Sequence, residues 1–363
     1  MKNQLLIKTA LILFIVSIFT LGIIMAKDIL IPLAIGFFFA YLLYPFVWIF
    51  ERRGIHRGIS IFLVLFVTLL IVGGVTLFLS VKLSNMNIDL AELKEQVDSK
   101  ADSLQHVLEA KLGLNANTMD YYLGKASENI FSSWESEIGS FFTATTTTIF
   151  QLCILPVFIF FLLFYRTKTA HFIFRLVGRK NKPKAVRILR EISTITTKYM
   201  GGLLIVVLIL AVLNTTGLYI IGVPHALVFG ILAAVLNLIP YFGTFIGGLI
   251  PVLYVLFTSP HPFQTVLQIF ILFIIVQFLE NNLLTPNIVG NNIKINPLAI
   301  ILSLLVANMI WGVAGMLIVV PALAIVKIIM RNIDDLKPFA FLISDRGVEK
   351  HRIRFKQFWK KNK

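Results

Sequence analysis

Around residue 280 an almost uncharged stretch of chain gathers side chains able to do chemistry. From Gly201 to Val326 there are 126 residues with one acid, Glu280, and one base, Lys294. Beside that acid stand Asn281, Asn282, Asn287, Asn291 and Asn292, with Thr285 and Pro286 among them. Amides and one carboxylate at the end of an apolar helix offer many donors and acceptors without net charge, which suits a small polar solute or a single cation. A carboxylate at the bilayer centre costs about 2.5–3.5 kcal/mol on insertion scales. Glu280 is therefore near an interface, paired with Lys294, or kept for gating or proton coupling. The asparagines serve as helix caps, as hydrogen bonds between helices, or as ligand contacts.

The other reactive side chains do not assemble into an enzyme. The six histidines, His56, His106, His171, His225, His261 and His351, show no H-E-x-x-H spacing, and there is no G-x-S-x-G elbow. No G-x-x-x-x-G-K loop followed by Ser or Thr is present, so ATP is not implied. The single cysteine, Cys153, lies in the apolar run Ile149 to Phe164, which excludes a disulfide framework and a Cys-rich zinc site. No cofactor and no metal is expected.

Two long apolar stretches flank the polar cluster, and both are interrupted at their centres. Ala226 to Phe257 contains Asn237, Pro240, Gly243, Gly247, Gly248 and Pro251, while Leu298 to Met330 contains Asn308, Gly312, Gly315 and Pro321. Each is too long for one upright span and short for two full spans with a loop. Broken or re-entrant helices fit that length, and freed backbone groups are tolerated only where they face protein or a water-filled cavity. Asn237 precedes Pro251 by 14 residues and Asn308 precedes Pro321 by 13, with glycines between in both. Paired interrupted segments of this kind point to a midplane site formed by repeats.

The elements that must carry this site follow from composition. Hydrophobic residues make up 58% and charged residues 14%, against roughly 45–50% and about 25% in soluble proteins; mean hydropathy is +0.87. The fold class is all-α, a polytopic membrane protein with about eight hydrophobic segments, two of them broken or re-entrant hairpins in the second half. Spans are read at Thr9 to Ala26, Ile31 to Phe50, Gly58 to Val81, Thr145 to Tyr165, Gly201 to Ile221 and Pro262 to Leu279, besides the two interrupted stretches. The first, following Lys2 and Lys8, also has the form of a signal peptide with Ala26 as a small residue at its end, and it is read as retained. Only Lys27 and Asp28 separate it from the second, which predicts a helical hairpin.

Charge sets the orientation. Residues 82–144 carry ten acids against five lysines, whereas Arg166 to Met200 carries ten basic residues and one acid, and the chain from Lys327 eleven basic residues and four acids. Short cytoplasmic loops retain Lys and Arg, so both termini, the 51–57 linker and residues 166–200 are expected inside and 82–144 outside. The net charge of +15 then reflects topology rather than nucleic acid. The expected organisation is three transmembrane helices in 1–81, an extracytoplasmic amphipathic insert in 82–144, a fourth span in 145–165, a basic cytoplasmic helical segment in 166–200, a transport core in 201–330 and a basic tail in 331–363. In the insert, Leu93, Val97, Ala101, Leu104, Leu108 and Leu112 form one apolar helical face. The basic segment is suited to anionic lipid headgroups.

Four motifs in order carry a resemblance. They are Leu236-Asn237-Leu238-Ile239-Pro240-Tyr241-Phe242-Gly243, then Glu280-Asn281-Asn282-Leu283-Leu284-Thr285-Pro286 with Gly290, then Asn296-Pro297-Leu298, then Trp311-Gly312-Val313-Ala314-Gly315-Met316 with Pro321 ahead of Lys327. In order and spacing the chain resembles the autoinducer-2 exporter family. The resemblance implies a bacterial inner-membrane transporter, homo-oligomeric, exporting a small polar signalling molecule. Some members are similar to sodium or lithium/proton antiporters instead. The matching positions are Asn237, Pro240, Gly243, Glu280, Asn281, Asn282, Thr285, Pro286, Gly312, Gly315 and Pro321, and Asn308 joins them from the second interrupted stretch.

Secondary transport leads these readings, with a moving bundle from the interrupted stretches carrying solute past a static one. Cation/proton antiport is the alternative, with Glu280 the one acid of the second half able to serve it. A structural or partner-organising membrane protein is the reading from another class, with the external helix as its means.

Overall fold

The computed structural model describes residues 2–84, 146–239, 242–259, 262–290 and 294–345. The segment after residue 84 expected as an external insert, with Pro240, Asn291, Asn292 and the tail beyond 345, lies outside the described residues. What is described is helical: α1 (Lys2–Met25), α2 (Lys27–Arg52), α3 (Arg57–Ser84), α4 (Thr146–Phe164), α5 (Arg166–Ile221), α6 (Ala226–Leu236), α7 (Phe242–Thr258), α8 (Pro262–Leu279), a π-helical segment (Glu280–Val289), α9 (Pro297–Asn332) and a short α10 (Lys337–Leu342). Five helices among the described residues are long and apolar enough to cross a membrane. With the shorter apolar helices they make the polytopic all-α protein expected from composition.

Two boundaries differ from the sequence reading. The hairpin between the first two segments is not formed. Ala26 donates to the Gly22 carbonyl and accepts from Leu30 N, both in helical register, so α1 leads into α2 across one off-helical residue. Neither Gly nor Pro stands there to reverse the chain. The basic segment and the fifth span are also not separate at residue 200. The break inside α5 falls at Gly178, whose φ of 79° and ψ of 167° are not helical, and the helix then runs unbroken from the basic residues into the apolar span.

Both interrupted stretches fold as helical hairpins. In the first, α6 has 11 residues, about 16 Å at 1.5 Å per residue, roughly half the hydrocarbon thickness. It packs on α7 through backbone. A Cβ on Gly243 would overlap the Leu236 carbonyl, and one on Gly247 would stand 2.8 Å from the Ala233 Cα. In the second, α9 turns at Gly312, with φ 60° and ψ −144°, a conformation essentially confined to glycine. The turn brings Gly315 against the Ala307 carbonyl, where a Cβ would overlap. Lipid tails are as apolar as side chains, so helices associate in a bilayer through close packing rather than hydrophobic transfer. The glycines supply that packing.

The chain divides into two compact units. One comprises Met1–Leu65, Ile154–Ile205 and Leu284–Lys363. Its core joins α2, α3 and α4 through Val47, Ile61, Ile159 and Leu163. At one end Arg166 pairs with Glu51, and Arg57 donates to the Leu163 carbonyl at 2.9 Å. The basic linker after α2 and the start of the basic segment thus lie together. Arg187 donates to Asn332 Oδ1 at 3.1 Å, which brings that segment to the end of α9. The other unit comprises Phe66–Cys153 and Val206–Leu283. Its core is Leu218, Val223, Phe229, Val255 and Ile269, from α5 to α8. The outer face of α8 leaves Phe263, Phe270, Ile274 and Phe278 exposed, an apolar stripe suited to lipid.

Candidate functional site

The break between α6 and α7 holds the polar cluster. α6 ends at Leu236, and Asn237 caps it, its backbone N–H bonded back to the Ala233 carbonyl at 3.1 Å. Thr244 stands in the first turn of α7 and Gln277 in the last turn of α8. Glu280 opens the π-helical segment that follows. Pro286 within that segment has no N–H to give to an α-helical ladder, and π-turns concentrate at functional positions. The segment closes with Gly290 N donating to the Thr285 carbonyl at 3.1 Å.

Five side chains form one hydrogen-bonded network that converges on Glu280. Thr244 Oγ1 donates to Asn237 Oδ1 at 2.6 Å, and Asn237 Nδ2 donates to Glu280 Oε1 at 2.7 Å. Gln277 Nε2 donates to Glu280 Oε2 at 3.1 Å and lies 3.2 Å from Asn281 Oδ1. Glu280 therefore accepts on both oxygens from neutral amides, and it makes no ion pair among the described residues. A carboxyl supported by neutral donors can exchange a proton without breaking a salt bridge. Gln277 Oε1 is buried with no hydrogen-bond partner among the described residues, and such a group normally finds one. The cluster is thus rich in acceptors, facing a ligand that would bring hydroxyl groups or positive charge.

The sequence-predicted residues divide by role. Asn237, Glu280 and Asn281 come together in this network. Gly243 lets α7 close on α6 beneath it. Asn282 donates to the Phe278 carbonyl at 2.8 Å, a local bond on the exposed side of the widened turn. Thr285 and Pro286 belong to the π-helical segment, past the boundary of the unit that holds the network. Asn308, Gly312, Gly315 and Pro321 lie in that other unit too: Asn308 is exposed, Gly312 is the turn, Gly315 the close contact and Pro321 is buried in the second limb of α9. Pro240 falls outside the described residues.

Sequence reasoning missed Thr244, Gln277 and Asn214. Gln277 stands three residues before Glu280, a spacing at which side chains on a helix meet. Asn214 lies in the apolar part of α5, 4% exposed, with Oδ1 unpartnered among the described residues. Beside it Thr215 packs so closely on Gly230 that a Cβ there would overlap its backbone and hydroxyl. A polar residue inside an apolar span was the signal for it. No cluster of three or more His, Cys, Asp or Glu able to hold a metal occurs among the described residues.

With this geometry in hand, the comparisons with known proteins are specific. The family model described as AI-2E family transporter matches residues 13–335. The chain is 30% identical over 315 residues to "Putative transport protein YrrI" of Bacillus subtilis (strain 168), covering 84% of this chain and 86% of that one. It is 27% identical over 338 residues to "Putative transport protein YhhT" of Escherichia coli (strain K12), covering 92% of each. It is 22% identical over 355 residues to "AI-2 transport protein TqsA" of Escherichia coli (strain K12), covering 94% of this chain and 97% of that one.

Proposed function

The chain belongs to the AI-2E transporter family, a multi-pass membrane transporter, and on that premise we propose that it exports a small polar solute of the autoinducer-2 kind across the bacterial inner membrane. The Asn237–Glu280 hydrogen bond across the break of a half-length hairpin carries this reading. An uncharged polyhydroxylated solute needs acceptors and amide donors but no fixed countercharge. The network supplies Gln277 Oε1, the remaining lone pairs of Glu280 and the Thr244 hydroxyl. The hairpin supplies motion, since two short helices meeting backbone to backbone can shift as one body.

Glu280 is the coupling group in this account. In one state it is ionised and held by two amides; on protonation it releases one of them and reopens the site. Inward movement of protons then drives solute outward. The 51–57 linker, residues 166–200 and the basic C-terminal tail face the cytoplasm on the strength of their Lys and Arg, and the subunit works in a homo-oligomer.

Uptake of labelled autoinducer-2 into inverted vesicles, with and without a proton gradient, tests the reading. Gradient-dependent accumulation above empty vesicles is the expected result. Proton release driven by sodium or lithium, with no solute uptake, would overturn it in favour of cation/proton antiport, which the acceptor-rich lining of Glu280 would also serve.

A further inference from the structure

In the unit that holds the Glu280 network, three side-chain oxygens are buried without a hydrogen-bond partner among the described residues: Asn214 Oδ1, Thr215 Oγ1 and Gln277 Oε1. Gln277 supports Glu280; Asn214 and Thr215 stand on α5, outside the network. Elsewhere the helices satisfy such groups within themselves. Thr76, Thr169 and Thr258 give their hydroxyls to the carbonyl four residues back, and Asn282 and Asn332 give their amides likewise. Asn214 is 4% exposed in an apolar span, a place where an unpaired polar group is costly and normally finds a partner.

Packing brings these oxygens to one level. After the turn in which Val223 N donates to the Leu218 carbonyl at 3.0 Å, α6 runs back along α5, with Gly230 so close that a Cβ would overlap the Thr215 hydroxyl. α7 returns along α6, Gly243 on Leu236 and Gly247 on Ala233, and α8 returns along α7, Gly248 on Phe273. α8 is therefore antiparallel to α5, and Gly217 closes on the Leu272 side chain. Asn214, three positions before Gly217, shares its face of α5. Gln277 lies five positions past Leu272, which puts it within about 3 Å of the height of Asn214 at 1.5 Å per residue.

We propose that Asn214 and Thr215 form a second wall of the transport site, level with Gln277, which receives hydroxyl groups of the solute and is covered by α6 in this state. The inference rests on the transport reading given for Glu280. No Lys or Arg occurs between Gly201 and Leu283, so the missing donors come from a ligand. Successive helical residues point about 100° apart, one here toward α6 and the other toward α8. That spread fits several hydroxyls of one solute better than the compact shell of a single cation. Only Gly230 separates α6 from Thr215, so movement of the hairpin uncovers the wall.

The test is thiol accessibility of the full chain in intact cells and inverted vesicles, in a Cys153→Ser background. Thr215→Cys, close in size, should react with a charged methanethiosulfonate, which attacks hydrated thiols, and saturating autoinducer-2 should slow the reaction about tenfold. Val212→Cys, on the exposed apolar face of α5, should not react. Beside it, Asn214→Leu should raise KM for autoinducer-2 uptake about fivefold to tenfold, the worth of one hydrogen bond. Its maximal rate should stay within about twofold and its thermal midpoint should be unchanged or higher, because the oxygen removed had no partner. Labelling that autoinducer-2 does not slow, with no uptake by the wild type, leaves the wall standing and excludes that solute. An unreactive Thr215→Cys that accumulates as wild type, or Asn214→Leu with unchanged KM, would overturn the proposal. Should Thr215→Cys fail to accumulate, the KM of Asn214→Leu decides.

Discussion

Asn237 and Glu280 are 43 residues apart in sequence and 2.7 Å apart in space. One caps a half-length helix and the other opens a π-helical turn, so the bond ties the tip of the first hairpin to the end of α8. Its consequences can be measured at both ends.

Asn237→Ala removes the donor to Glu280 Oε1 and the acceptor for Thr244 together. Leaving such groups unsatisfied costs about 1–3 kcal/mol. The variant should fold with a lower thermal midpoint, and its transport rate should fall by about tenfold or more. Fluorescence-detected size-exclusion chromatography after heating, beside vesicle transport, checks both.

Gln277→Leu takes away the donor to Glu280 Oε2 together with the unpartnered Oε1, so it relieves one unsatisfied group while leaving another. Its net cost in thermal stability should be smaller than that of Asn237→Ala, while transport drops. A loss of stability equal to that of Asn237→Ala, with transport intact in the surviving protein, would show that Gln277 is structural.

Gly243→Ala places a methyl on the Leu236 carbonyl, a backbone group that cannot swing aside. Overpacking costs about 1–3 kcal/mol, sometimes more, so this variant should accumulate poorly. Gly22→Ala and Gly73→Ala, where a Cβ meets nothing within 4 Å, should accumulate as wild type. Gly312→Ala should also fail, for its backbone conformation rather than for space.

Orientation is checked with Cys153→Ser as background. Single cysteines at the exposed positions Arg53 and Asp335 should react with an impermeant maleimide only after the membrane is opened. Labelling of intact cells at either would reverse the orientation.

What the sequence made legible was set by strong local physics. Apolar runs longer than a bilayer gave the spans, and Gly and Pro at the centre of two such runs gave the hairpins, because no continuous helix accommodates Gly312 at φ 60°. The joining of Asn237 to Glu280 was not legible, since a contact across 43 residues depends on how α6, α7 and α8 stack. Thr244 and Gln277 look ordinary in sequence and gain meaning only from that contact. The hairpin expected at Lys27 and Asp28 rested on two charges, and charge alone does not turn a chain. Gly178 was passed over among basic residues, although it is where the backbone breaks.

The most direct test of the central claim is a double-mutant cycle on transport. Rates of labelled autoinducer-2 uptake are measured in inverted vesicles for wild type, Asn237→Ala, Glu280→Gln and the double variant, at matched protein levels. Both single variants should be impaired, and the double should be no worse than the poorer single by more than about twofold, a coupling within the 0.5–3 kcal/mol range of residues in one network. Multiplicative losses in the double variant, or a Glu280→Gln protein that transports at the wild-type rate, would contradict the account.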